Sequence, residues 1–187
     1  MIFKKLAANL CMVGALFSPM AHALDADEVR KVPSWELVGQ IFKLAGGGEQ
    51  ARQELSVLHA ELWARADGGR ADAMFARAFY QFQVIKQSGV QDAKCSYVLE
   101  DAKKVATNEK IKILWDATAA MDLVGEMYET GICAQKSKYI AADWYIRAGN
   151  QLRENGGRDA ALRAMEKALN LVPDHPQAMK LREALLR

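Results

Sequence analysis

The chain has 187 residues, of which 25 are Lys or Arg and 23 are Asp or Glu. Charge this nearly balanced offers no basic stripe of the kind nucleic acid requires, and the length suits one compact domain with a real core. The sequence is rich in Ala, Leu, Glu, Lys, Arg and Gln, holds four prolines, and shows no strand-like alternation or hairpin dipeptide, so an all-α fold is expected.

Residues 1–23 read as a secretory signal peptide cut after Ala23. Lys4 and Lys5 form a positive n-region, Leu6 to Phe17 is apolar, Pro19 breaks the run, and Ala21-His22-Ala23 is a small-x-small cleavage site. The alternative, an uncleaved anchor, needs a longer apolar run. Cys11 follows Ala8-Asn9-Leu10, which lacks the small residues of a lipid-modification site. No later segment is apolar enough to cross a bilayer, so the expected location is periplasmic or secreted, with no stable membrane insertion. Removing 23 residues from 187 leaves 164, and takes away two lysines and no acid, so 23 basic residues face 23 acidic ones. From Lys136 onward there are ten basic and six acidic residues, a bias that ordinary solvated helix faces accommodate.

Cleavage leaves Cys95 and Cys133. An even pair in an exported chain is expected to form a disulfide rather than two buried free thiols. Closing that loop is worth roughly 3–4 kcal/mol. Two thiolates alone make a poor zinc site, and neither His59 nor His175 stands at ligand spacing from them. No metal and no other cofactor is expected.

In chain order, Leu24 to Val32 reads as a loose charged lead-in. Ser34 is the expected N-cap of a first helix, with Trp35, Leu37, Val38, Ile41, Phe42 and Leu44 at three- and four-residue spacing. Gly46-Gly47-Gly48 ends it; without a preceding strand or a following lysine the triple glycine is a turn, not a phosphate loop. A second helix is predicted from Glu49 to Ala66 with the stripe Ala51, Leu55, Leu58, Leu62, a third from Ala71 to Ser88 closed by Gly89, and a fourth from Asp92 to Ala106. After a break at Thr107-Asn108-Glu109, a fifth contains Ile113 and Leu114 and runs to Thr130, where Gly131 suits the C-terminal position. The sixth spans Ser137 to Glu154, the seventh Asp159 to Leu171, and Pro176 starts a last helix to Leu186. Such helix–turn–helix units cannot each bury an apolar side alone, so stacking into a solenoid is expected. Trp35, Trp63, Trp115 and Trp144 are read as core residues.

Val124-Gly125-Glu126-Met127-Tyr128-Glu129-Thr130-Gly131, followed by Ala141-x-x-Trp144-Tyr145-x-Arg147-Ala148-Gly149, resembles a Sel1-like repeat. Ile132-Cys133 replaces the Gly-Val usual after the first helix. Ala142 to His175 resembles a tetratricopeptide repeat, with Tyr145, Gly149, Leu152 and Gly156 in its first half and Ala161, Met165, Ala168 and Pro173 in its second. Ala148 and Leu152 depart from it, where a larger apolar residue and an aromatic are usual. The resemblance implies a right-handed α-solenoid of antiparallel hairpins over 24–187: less regular through 24–116, repeat-like over 117–175, and a terminal capping helix at 176–187. Met74 to Tyr80 is a weaker echo, which would place Cys95 and Cys133 at related positions of successive units.

Repeat proteins of this kind bind other polypeptides. The first helix of a tetratricopeptide unit lines its concave face, so the resemblance implies a partner groove at Asp143, Ile146, Asn150 and Arg153. The alternative for these four is an ordinary solvated face. The functional expectation is a non-catalytic scaffold or adaptor for a protein or peptide in the bacterial cell envelope. The alternative is a structural subunit or chaperone of an envelope assembly such as a pilus, secretion or flagellar system. An enzyme is disfavoured. His59 and Glu61 do not share a helix face, Asp174-His175 has no visible nucleophile, and no metal pair, phosphate loop or nucleophile elbow is present.

Overall fold

The computed structural model describes residues 25–91, 95–108 and 114–187. The proposed signal peptide therefore lies outside the described residues. Among the described residues all regular structure is helical: α1 (Ala26–Val29), α2 (Ser34–Leu44), α3 (Glu49–Asp67), α4 (Ala71–Ser88), α5 (Cys95–Ala106), α6 (Leu114–Thr130), α7 (Lys138–Glu154), α8 (Arg158–Leu171) and α9 (Pro176–Leu186). Gly89 and Gly131 each follow a helix in the left-handed region, at φ 70° and 80°, a conformation costly for residues with a Cβ. Their N–H groups return to Ile85 and Met127 and satisfy carbonyls the helices would leave bare. Ser137 caps α7 by accepting a hydrogen bond from the Ile140 N–H.

Each helix from α2 onward packs against its sequence neighbours, and the pairs α2–α4, α4–α6 and α7–α9 also touch. The core is consequently a series of three linked clusters. The first joins α1 to α4 through Val29, Leu37, Ile41, Leu58, Leu62 and Ala76. The second joins α4 to α7 through Phe82, Val98, Val105, Val124, Met127 and Trp144. The third joins α7 to α9 through Tyr145, Ile146, Met165, Ala168, Leu181 and Leu185. Helix α4 belongs to two of these clusters, as does α7. Each buries opposite faces and so couples one cluster to the next.

Two local expectations fail, each because a long-range partner intervenes. The segment before Pro33 is not loose. Val29 is buried, and the buried Arg65 guanidinium donates to the Val32 and Val29 carbonyls at 2.6 and 2.9 Å while pairing with Glu61 at 2.7 Å. A cation against the terminal carbonyls of α1 is the favoured sign for a helix C-terminus. Ser34 is not a cap either. It is the first residue of α2, fully buried, and its hydroxyl donates to Asp72 Oδ2 of α4 at 2.7 Å. Pro33 precedes the helix with no side-chain cap.

Small residues set the helix approach over α6–α8. A Cβ on Gly125 would stand 2.6 Å from the Tyr145 ring, and one on Gly149 would overlap the Met165 methyl and lie 3.3 Å from Ala164 Cβ. Tyr145 fills the space so opened and donates its hydroxyl to Glu129 Oε2 at 2.6 Å. Burial, reinforced by that carboxylate, pushes the Tyr145 phenol well above its ordinary range. Lys167 of α8 holds Asp122 of α6 at 2.6 Å and stands over the Tyr145 ring, tying the three helices together.

Gly149→Leu is expected to destabilise the chain by about 1–3 kcal/mol through overpacking. Gly39→Ala, in α2 where a Cβ meets nothing within 4 Å, is expected to be neutral or to stabilise by about 0.5–1 kcal/mol. Urea midpoints of the two variants measure the contrast.

Candidate functional site

The four residues assigned to a groove on α7 do not form an open stripe. Asp143 is exposed, with its carboxylate 3.2 Å from His175 Nε2, and Arg153 is exposed. Asn150 is half-buried, while Ile146 is 3% exposed and belongs to the cluster that Ala178, Leu181 and Leu185 of α9 complete. The spacing put all four on one helical face, but α9 packs on α7, and the one apolar member is spent in the core. Ile146 is therefore corrected from partner anchor to packing residue.

A more open concavity lies at the other end of the chain, where three helices present side chains at helical spacing. On α3 the stripe is Ser56, Ala60, Trp63 and Asp67; on α4 it is Arg77, Gln81, Val84 and Ser88; on α5 it is Asp101 and Lys104. The steps of three and four residues keep each set on one face. A cleft of about 610 Å³ opens between α3 and α4, lined by Ser56, His59, Ala60, Trp63, Tyr80, Gln81, Val84, Ile85, Ser88 and Val90. Tyr80 forms its aromatic wall, with ring centroids 5.2 Å from His59, 6.2 Å from Trp63 and 5.3 Å from Phe42 of α2. Burial lowers the His59 pKa, and its Nε2 is enclosed without a hydrogen-bond partner. Burial thus disfavours the charged form of this imidazole in the cleft wall.

The other end is closed by charge. Arg77 of α4 bonds Asp101 of α5 at 2.7 Å and Asp67 of α3 at 2.5 Å, and its guanidinium lies 6.0 Å from the Trp63 ring. Both Arg77 and Asp101 are nearly buried, at 11% and 7% side-chain exposure. Burial pushes the Asp101 carboxyl above its ordinary value, and the hydrogen bond and charge of Arg77 oppose that rise. A second concavity of about 590 Å³, lined by Asp67, Met74, Arg77, Asp101 and Lys104 among others, surrounds this cluster.

At the start of α5, Cys95 is bonded to Cys133 of the α6–α7 turn, with Cα atoms 4.6 Å apart, inside the span a disulfide needs. Cys133 adopts φ 59°, uncommon for a residue with a side chain. Gln91 holds the same turn from the end of α4, accepting the Cys133 N–H at 3.2 Å and donating to the Gly131 carbonyl at 3.4 Å. This is how the turn accommodates Ile132-Cys133. Among the described residues no three His, Cys, Asp or Glu side chains stand close enough to share a metal ion.

Of the tryptophans read as core, Trp144 is buried, Trp63 is half-buried in the cleft, and Trp35 is 40% exposed, edge-on to Phe75 and Phe79. The Trp115 side chain lies outside the described residues. The cleft was missed in the sequence, although His59 and Trp63 stand four residues apart on a face beside the Leu55, Leu58, Leu62 stripe. That spacing was the available signal. Set against protein-family models, curated proteins and solved structures, the chain matches none of them.

Arg77→Met is expected to cost about 3–5 kcal/mol, because it leaves the Asp101 carboxylate buried without its partner. Adding Asp101→Leu is expected to restore most of the loss; chemical denaturation of the single and double variants gives both values. The unreduced chain is expected to leave Cys95 and Cys133 unlabelled by a thiol reagent, and reduction to lower stability by about 4 kcal/mol. Mass spectrometry before and after reduction, paired with denaturation curves, checks both statements.

Proposed function

We propose that the chain is an exported helical-repeat protein that binds a polypeptide partner in the bacterial cell envelope and performs no chemistry of its own. In this reading its helices form a right-handed α-solenoid of antiparallel hairpins, Sel1-like and tetratricopeptide-like over Val124 to His175. The observation that carries the binding role is the exposed apolar surface around the α3–α4 cleft. Val84 and Val90, 41% and 63% exposed, line an aromatic-walled concavity, and Phe42, 37% exposed, packs against its Tyr80 wall. Contiguous apolar surface of this kind marks interaction sites on stable folds.

Three further features support the reading. Sequential helix packing with a linked series of clusters is how repeat proteins bury faces that single hairpins leave open. The Gly125–Tyr145 and Gly149–Ala164 contacts give physical roles to the small residues of the repeat-like stretch. The Cys95–Cys133 disulfide suits an oxidising compartment, as does the signal-peptide pattern of residues 1–23. No described helix is long and apolar enough to cross a membrane. The exposed residues of α9 include Lys180, Arg182 and Glu183, beside Met179 and Leu186.

Expression of the tagged full chain in a bacterium with two membranes is expected to yield a periplasmic product beginning at Leu24, joined to another polypeptide after brief chemical crosslinking. A product retaining residues 1–23 in the cytoplasm, or one recovered solely as monomer across growth conditions, would contradict the proposal.

A further inference from the structure

The cleft specifies its occupant more narrowly than a polypeptide of any kind. Among the described residues, the ten that line it include no Asp, Glu, Lys or Arg. A charged side chain entering between Trp63, Tyr80 and Val84 would lose water and meet no counter-charge among those ten residues, at a large cost. The inserted group is therefore bulky, apolar and uncharged.

Beside the cleft the balance changes. One guanidinium, Arg77, stands between two carboxylates, and Lys104 is occupied by Glu100 at 2.7 Å. The cluster keeps a surplus negative charge, and Asp67 presents it outward, with its side chain 68% exposed. Trp63 and Asp67 are four residues apart, about 6 Å along α3. Two ligand groups one helical turn apart span the same distance.

The walls are helices whose backbone groups are spent internally, so an extended peptide finds no strand edge to pair with. A helical ligand arrives with its own backbone satisfied. The stripe from Ser56 to Asp67 runs about 16 Å, room for three turns.

The geometry points to an amphipathic helix of another polypeptide, seated against α3 and α4 with a bulky apolar residue in the Trp63–Tyr80–Val84 cleft and a Lys or Arg one turn away at Asp67. This rests on the proposed polypeptide-binding role and gives the partner its chemistry. It is a helix-in-groove mode, read by residues three, four and seven apart.

The test is selection from a phage library of helical peptides, randomised at positions three, four and seven apart, on the disulfide-bonded chain purified after export. Selected peptides are expected to pair Trp, Phe or Leu with Lys or Arg three or four residues away. A synthetic peptide of that sequence is expected to bind about tenfold or more weakly to Val84→Lys, which places a charge in the cleft. Val84 is 41% exposed, so this variant should keep the parent denaturation midpoint. Replacing the peptide's basic residue by Glu should weaken binding to the parent chain, and Asp67→Asn should shrink that difference. Selected peptides that bind Val84→Lys as well as the parent, or that carry acidic residues in place of basic ones, would overturn the assignment and leave the polypeptide-binding reading standing. No selected peptide, with phosphatidylglycerol vesicles bound by the parent and released by Val84→Lys, would give the cleft to acyl chains and overturn both. No binding to either probe would overturn the helix assignment and leave the polypeptide-binding reading to the rest of the chain.

Discussion

One buried guanidinium fixes the arrangement of the N-terminal half. Arg77 rises from α4, the helix shared by the first two core clusters, and reaches Asp67 of α3 and Asp101 of α5. Buried ion pairs contribute little net stability against well-packed apolar side chains, because desolvation offsets their attraction. Their effect here is geometric. The clamp joins α3 and α5 across α4 at one end of the concavity, where Asp67 and Asp101 converge. At the far end, around Ser56 and Ser88, apolar surface stays accessible. The aromatic cleft is the space left beside that joint.

The rest of the chain holds the cleft in place. Helix α5 is anchored at its start by the Cys95–Cys133 bond to the α6–α7 turn and midway along by Asp101 to α4. That turn is held in addition by Gln91, which follows α4. Lys103 of α5 donates to the Tyr128 hydroxyl of α6 at 2.8 Å. Beyond it, Gly125 and Gly149 let α7 approach α6 and α8, and Tyr145 occupies the gap. Movement of α5 would thus be felt in α4, α6 and the α6–α7 turn. A partner seated against α3 and α4 would meet a wall braced from behind.

The parts of this organisation legible in the sequence were those set by neighbours a turn or two away. The span Ala71 to Ser88 marked α4, and Gly89 marked its end, because helix periodicity and left-handed glycine are local properties. Gly149 could be assigned a close approach because the repeat resemblance supplied its facing helix. Features that depend on distant partners were hidden. Ser34 looks like a cap until Asp72, 38 residues on, takes its hydroxyl. The lead-in looks loose until Arg65 is found bonded to it. Asp143, Ile146, Asn150 and Arg153 share a face, as their spacing requires, but spacing carries no information on whether α9 covers Ile146. Nor does spacing reveal that Arg77, Asp67 and Asp101, on three helices, are one cluster.

The central claim is that the partner lies against the α3–α4 cleft and not on the face of α7. Site-specific photo-crosslinking in cells decides between them, with the reactive side chain placed at Val84 in one strain and at Asn150 in another. The account predicts one discrete protein adduct from Val84 and none from Asn150. An adduct from Asn150 with nothing trapped at Val84 would contradict it and return the binding role to the repeat-like half of the chain.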